Sequence, residues 1–422
     1  MKKINIDLLL TNASQVVTIV PSMAQNAPRR GVEMSELNII ENAAVAVKKG
    51  MIVWTGSSAE AKRNFSAKKN YDCKGRIVTP GLVDPHTHLI FPATREEEFE
   101  LRIKGATYLE IAAKGGGIKA TVRKLRAAGR NGLKTRAMGH LKAMLMHGTT
   151  SIDAKSGYGL DMDNEIKSLR IINELAKEQP VEIAVTFLGA HDVPEEYAGR
   201  KEEYVKFLID KAIPAIAKKR LAEFCDIFCE KGVFEIEDSR RILTAAKQAG
   251  FKLKLHAEEF AQIGGAELAA ELGAVSADHL MAISDAGIEA MRTASTIAVL
   301  LPGTTFFLGL KNYAPARKMI EAGLPVALAT DFNPGTSMTE SMQIIMTIAC
   351  TQMKMTPAEA LTAATLNAAF AIGRGDKTGS ITLGKQADMV VWDIPNYRHI
   401  PYHYGVNLVK DVFKKGKPCI LK

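Results

Sequence analysis

Apolar positions along the chain fall into two regimes. Over roughly the first 75 residues they form short mixed runs, Ile4–Leu10, Gln15–Ile19, Ala43–Val47 and Met51–Trp54, that predict β-strands. Lys49-Gly50 separates the last two as a hairpin turn would, and the polar stretch 21–37 predicts a long loop. Further on, β-rich apolar runs alternate with amphipathic ones. The β runs are 78–88, 149–155, 181–190, 224–229, 251–256, 274–279, 296–302 and 325–331. The first opens on Pro80-Gly81, as a strand entered from a turn does. Between the runs lie helical patterns such as Asn164–Glu178, Lys201–Lys219, Asp238–Gln248 and Gly264–Leu272. Eight strands alternating with helices predict an α/β chain, a (β/α)8 TIM-type barrel. The tail returns to β character in Gly379–Leu383, Ala387–Asp393 and Leu408–Phe413. Residues 1–77 and 372–422 are therefore expected to form a small composite β-sandwich domain, with a barrel domain over 78–371 between them.

Composition narrows the class. The chain has 422 residues, 47% hydrophobic and 24% charged, which excludes a disordered protein. The net charge of +9 is spread through the helical segments and only 6% of residues are aromatic. That pattern argues for a basic globular protein with an anionic substrate and against a nucleic-acid partner. Five cysteines show no spacing of a disulfide framework or zinc knuckle, and Cys225 and Cys229 share one face of a strand, as core thiols do. Unpaired thiols suit a reducing compartment. The run after Lys2 and Lys3 is broken by Asn5 and Asp7, and no stretch approaches the ~20 apolar residues of a membrane span. A cytoplasmic protein without a membrane partner is expected.

Polar residues gather where the β runs end, which in such a barrel is the catalytic face. The first run ends His86-Thr87-His88, and histidines at i and i+2 of a strand share a face and can offer two imidazoles to one ion. Two histidines that merely sit close leave the same motif, so the later runs decide. Lys155-Ser-Gly-Tyr158 follows the second run and His191 the third. The fifth ends His256-Ala-Glu-Glu259, the sixth Asp278-His279, the eighth Asp331-Phe-Asn333. Three imidazoles and a carboxylate suit Zn or Fe, with His86, His88, His256 and Asp331 as the ligand choice. Such an ion brings the pKa of a water toward neutrality. Asp331 is placed to take that water's proton and pass it to a leaving nitrogen, and His279 to orient or polarise the reacting group.

This constellation resembles the amidohydrolase superfamily, which pairs an HxH on the first barrel strand with histidines on the fifth and sixth and an aspartate on the eighth. The tail Gly379–Val391 is similar to its closing β-domain signature. Binuclear members carry a carboxylated lysine at the end of the fourth strand. Here that strand ends Cys229-Glu230-Lys231, so one metal ion is expected. Long strings extend the resemblance over nearly the whole chain. Among them are Asp84-Pro-His-Thr-His-Leu-Ile-Phe91, Arg95-Glu-Glu-Glu-Phe-Glu-Leu-Arg102, Gly105-Ala-Thr-Tyr108, Gly115-Gly-Gly-Ile118, Leu301-Pro-Gly-Thr-Thr-Phe-Phe-Leu-Gly309 and Ala329-Thr-Asp-Phe-Asn-Pro-Gly335. They are similar to the histidine-degrading branch of the superfamily. Pro92-Ala93-Thr94 departs from that branch's small residues and glycine, which touches loop shape.

The resemblance implies hydrolysis of 4-imidazolone-5-propanoate to N-formimidoyl-L-glutamate. Opening a cyclic amide needs an activated water, a polarised carbonyl and a proton for the leaving nitrogen. The propanoate arm needs a cation and donors. Arg95 supplies the fork for a carboxylate, with Tyr108, Tyr158 and His191 adding hydrogen bonds. Glu259 contacts a ring nitrogen, and Asn333, Gly335 and Thr336 bind substrate through side chain and backbone. Gly115–Gly117 lacks the Lys-Ser/Thr of a phosphate loop and reads as a mobile active-site loop. A mononuclear deaminase of an aminated heterocycle is the alternative, because deaminases also place a Glu after the fifth-strand histidine. A barrel kept only for assembly should have lost ligands, and all four are present. A homodimer is expected.

Overall fold

The computed structural model describes residues 3–20, 26–106, 110 and 115–420. Five strands open the chain: β1 (Ile4–Val17), β2 (Ile39–Lys48), β3 (Met51–Ser57), β4 (Phe65–Asp72) and β5 (Ile77–Pro80). Eight follow: β6 (Leu82–Thr87), β7 (Thr149–Lys155), β8 (Glu182–Ala190), β9 (Phe224–Cys229), β10 (Lys252–Ala257), β11 (Ser276–His279), β12 (Ile297–Leu300) and β13 (Val326–Leu328). Three close it: β14 (Met389–Trp392), β15 (Val409–Lys414) and β16 (Lys417–Ile420).

Strands β6 to β13 pair in chain order, all parallel, as helical crossovers require. A bridge between Thr87 and Phe332 and a bond from His88 N to the Phe332 carbonyl (2.9 Å) bring the two ends of the sheet together into a nearly closed barrel. Thr330 donates to Asp84 from its backbone N (3.0 Å) and from its hydroxyl (2.5 Å), tying the same seam from inside. All eight expected β runs are present, and β12 and β13 are shorter than their apolar runs.

The two chain ends share the second sheet, in the order β16-β15-β14-β5-β1-β2-β3, with β4 also on β1. Its strands alternate as a two-faced sheet does. Leu8, Leu10, Val45 and Val47 enter one apolar cluster, and Leu9, Ala44 and Ala46 enter another.

Four local expectations change. The run 78–88 is two strands, because the chain leaves the terminal sheet at Pro80 and enters the barrel at Leu82. Gly81 makes the switch, where a β-carbon would overlap the Thr150 side chain. The two strands expected at 4–10 and 15–19 are one, since Asn12 adopts φ 56° and absorbs a register shift without ending the ladder. Gly379–Leu383 is not a strand. Ile381 makes one backbone bond, to the Thr18 carbonyl (2.8 Å), and packs as a buried turn. The helix expected over Lys201–Lys219 is interrupted by a π turn at Leu208–Ala212, where Pro214 lacks the N–H that a continuous α-helix needs.

Candidate active site

Strand ends of the barrel bring the histidines together. His86 near the end of β6 and His88 just past it are buried, with Nε2 atoms 3.3 Å apart. Asp331 Oδ1 lies 3.5 Å from His86 Nε2 and 3.4 Å from His88 Nε2. His256 is the last residue but one of β10 and His279 ends β11, and their ligand atoms lie within 4.8 Å of each other and of His86. Left-handed backbone turns fall at two of these residues, with φ 77° at His279, where β11 ends, and φ 53° at Asp331, just past the end of β13.

The donor set fits a metal ion. Two imidazole nitrogens facing each other at 3.3 Å in a buried place repel unless a cation or proton lies between them. A tetrahedral centre with bonds of about 2.0–2.1 Å has donor–donor edges on the order of 3.3 Å, close to the three separations among His86, His88 and Asp331. The Nε2 atoms of His256 and His279 are buried and have no hydrogen-bond partner among the described residues.

The opposite ring edges are fixed by carboxylates. His86 Nδ1–H donates to Asp278 (2.6 Å) and His256 Nδ1–H to Asp226 (3.1 Å), so both Nε2 lone pairs face the centre. Burial holds His86 and His88 well below the usual imidazole range, with neighbouring cationic groups adding to it. Burial alone would raise Asp226, yet His256 and Lys155 keep it well below the usual carboxylate range. Burial pushes His279 down to about 3, so its ring is neutral. Glu259 Oε2 lies 3.7 Å from His279 Nδ1, and burial beside Asp331 raises the Glu259 carboxyl well above its ordinary value.

A second group surrounds this centre. His191 stacks on His88 at 5.0 Å and donates from Nδ1 to the Gly157 carbonyl (2.9 Å). The Tyr158 ring lies 5.7 Å from His88 and 5.3 Å from His191. Arg95 enters from the other side, 3.8 Å from Glu98, with a buried Nε that no described group accepts. Gly117 N donates to Glu98 (3.0 Å), which ties the glycine run to the start of the Arg95 helix. Asn333 spends its amide on its own loop: Oδ1 accepts from Gly335 N and Thr336 N (2.8 Å each), and Nδ2 donates to the Asp331 carbonyl and to the Thr336 hydroxyl (2.7 Å each). Thr336 Oγ1 is 3.5 Å from Asp331 Oδ2. Tyr108 lies outside the described residues.

Several site residues went unnoticed in the sequence. Thr304 Oγ1 donates to Asp331 Oδ2 (2.6 Å), orienting that carboxylate. Arg102 Nη1 donates to the Gly335 carbonyl (2.8 Å) and its guanidinium lies 5.3 Å from the centre of the Phe307 ring. Asp226 had one signal, a charged residue inside the apolar strand Phe-Cys-Asp-Ile-Phe-Cys. Thr304 and Arg102 had none beyond the strings that contain them.

The amidohydrolase family profile matches residues 77–419. Imidazolonepropionase of Bacillus velezensis is 50% identical over 415 residues, 98% of this chain and 97% of that protein. Imidazolonepropionase of Bacillus cytotoxicus is 49% identical over 411 residues, 97% of this chain and 96% of that protein. The chain belongs to the imidazolonepropionase branch of the amidohydrolase family. Solved amidohydrolase structures share the fold at low identity. Guanine deaminase of E. coli superposes with a TM-score of 0.75 at 14% identity, covering 98% of this chain and 99% of that one. Zinc-bound adenosine deaminase of Xanthomonas campestris gives 0.73 at 21% identity, covering 100% and 94%. Against this amidohydrolase background the buried histidine–aspartate cluster sits where (β/α)8 enzymes do their chemistry.

Proposed function

We propose that this chain hydrolyses 4-imidazolone-5-propanoate to N-formimidoyl-L-glutamate, the third step of histidine degradation. The observation that carries the reading is the identity of half its residues, over essentially its whole length, to imidazolonepropionases. The site supports it: one carboxylate, Asp331, lies beside two inward-facing imidazoles and on the same loop as Arg95's contact Gly335.

His86, His88, His256 and Asp331 would hold one Zn or Fe ion; His86, His88 and Asp331 form one close group and His86, His256 and His279 another, and bound zinc in a fold relative agrees with a metal there. When bound, the ion supplies Lewis acidity, which makes water nucleophilic near neutral pH. The remaining work falls to side chains. The water oxygen bonds to the ring carbonyl carbon and the bond from that carbon to the ring nitrogen breaks. Asp331, oriented by Thr304, takes a proton from the water and delivers it to the departing nitrogen. His279, neutral and with Nε2 unpartnered among the described residues, donates to the carbonyl oxygen as charge develops on it. Glu259, behind His279, contacts a ring nitrogen. Arg95 receives the propanoate, with Tyr158, His191 and Tyr108 completing its donors, and the Asn333–Gly335–Thr336 loop shapes the wall beside it. The same reading makes the protein a cytoplasmic homodimer acting on a small molecule, without nucleic-acid or membrane partners. No helix among the described residues is long and apolar enough to cross a membrane.

The test is a coupled assay in which urocanase generates the unstable substrate in place from urocanate. Absorbance loss is followed and the product identified by mass, with and without a chelator. Chelator-sensitive N-formimidoylglutamate is the expected product. Its absence from metal-loaded protein, with turnover of cytosine, guanine or adenine instead, would replace this reading by a deaminase.

A further inference from the structure

Beneath the histidine cluster the barrel interior holds two lysines and three aspartates, all buried. Lys155, at the end of β7, places Nζ 2.7 Å from Asp226 Oδ2, 2.8 Å from Asp153 Oδ2 and 3.7 Å from Asp278 Oδ2. Asp226 and Asp278 are the two carboxylates that accept the Nδ1–H groups of His256 and His86. One ammonium on β7 therefore reaches, through β9 and β11, imidazoles on β10 and β6.

We propose that Lys155 is a positioning residue for the metal ligands: its ammonium fixes Asp226, the carboxylate that aims His256, and adds charge at 3.7 Å to Asp278, the one that aims His86. This rests on the metal reading above. The argument is geometric. A carboxylate that only accepts from an imidazole can rotate about its Cβ–Cγ bond and let the ring turn with it. At Asp226, where His256 holds Oδ1 and the Lys155 ammonium holds Oδ2, that rotation breaks a charge-assisted bond in a fully buried interior. Ser276 Oγ donates to the second oxygen of Asp278 (2.7 Å) and the Ile227 N–H to Asp226 Oδ1 (2.7 Å), so Asp226 is held at three points and Asp278 at two. The ring tautomer is thereby set, with Nε2 unprotonated and aimed at the centre.

Lys254 is the internal comparison. It is equally buried, on β10, and lies 3.1 Å from Asp153 and 3.3 Å from the Pro85 carbonyl. Asp153 accepts from the Thr186 hydroxyl (2.5 Å) and contacts the lysines, and no bond joins it to a histidine among the described residues. Removing Lys254 thus removes a buried cation from the same interior without cutting a link to an imidazole.

The experiment measures Zn²⁺ affinity of metal-stripped full-length protein by competition with a chromophoric chelator, for the parent, Lys155→Gln, Lys155→Met and Lys254→Met. Circular dichroism and thermal melts report folding. The expected result is Zn²⁺ binding weakened about 10- to 100-fold in both Lys155 variants and by less than about threefold in Lys254→Met, whatever its melting temperature. The visible spectrum of the Co²⁺-loaded protein should change with Lys155→Gln and not with Lys254→Met. If both Lys155 variants misfold, Asp226→Asn, which cuts the link to His256 alone, carries the same measurement. Parent-like Zn²⁺ affinity in the Lys155 variants, or an equal loss in Lys254→Met, overturns the inference and leaves the metal reading standing. A parent protein that binds no Zn²⁺ removes both.

Discussion

The Arg95 guanidinium occupies the space that a β-carbon on residue 335 would fill. Gly335 is therefore glycine for room. Its carbonyl is held from the other side by Arg102, whose own position is set by packing on Phe307. The loop after Asp331 and the Arg95 guanidinium are built as one wall.

Gly335→Ala should displace Arg95 without damaging the fold, because the overlap is with the end of a flexible side chain. KM for imidazolonepropanoate is expected to rise about tenfold, in line with the loss of one charge-assisted bond, with kcat and melting temperature little changed. Steady-state kinetics beside a thermal melt checks this. An unchanged KM would mean that Arg95 does not hold the substrate.

Asp331→Asn keeps the shape of the side chain and removes its basicity. Turnover should fall by about 10³-fold or more, within the range for loss of a positioned proton carrier. Zn²⁺ affinity should fall with it, since Asp331 Oδ1 lies 3.5 Å and 3.4 Å from the Nε2 atoms of His86 and His88. Near-normal kcat in this variant would sink the proposed mechanism.

Stripping the metal should abolish turnover and lower the melting temperature together. The cluster is buried and its histidines face one another, so only the folded chain offers an ion this geometry. At a thousandfold excess of free ion over Kd the stabilisation is about 4 kcal/mol. Restoring Zn²⁺ or Fe²⁺ should recover both readouts, and the better recovery identifies the working metal. Full activity after exhaustive chelation would exclude the metal reading.

Far from the site, Lys385 donates to the carbonyls of Gly375 (2.5 Å) and Thr378 (3.2 Å), and burial pushes its ammonium down to about 8 from 10.5. Below pH 8 the folded and unfolded chains both carry this proton, and the buried cation is a full cost. Between about 8 and 10.5 the unfolded chain binds the extra proton, so this contribution makes stability rise with pH until the cost is gone. In Lys385→Met that rise disappears. Denaturant unfolding at pH 7.5 and pH 10 should show the variant's stability relative to the parent falling by about 2 kcal/mol. Parallel pH profiles would contradict the assignment.

Much of the architecture is legible in local pattern. A strand shows as a short apolar run and a helix as a 3.6-residue period, and both survive in the sequence around every barrel strand. Where the pattern is absent the element was missed. Strand β4, Phe-Ser-Ala-Lys-Lys-Asn-Tyr-Asp, is largely exposed and has no apolar alternation to announce it.

The sequence by itself determined the alternation that builds the barrel and the histidines and aspartates at the strand ends, because strand ends and side-chain parity are properties of neighbouring residues. Only the tertiary structure decided which of these groups meet. It joined Lys155 to Asp226 across 71 positions and His86 to Asp278 across 192, set Arg95 against Gly335, and turned one apolar run into two strands of different sheets at Gly81. The physical reason is closure of the barrel. Bending the sheet round until β13 meets β6 brings side chains from distant strands to one axis, and no local period in the chain records which of them will face each other there.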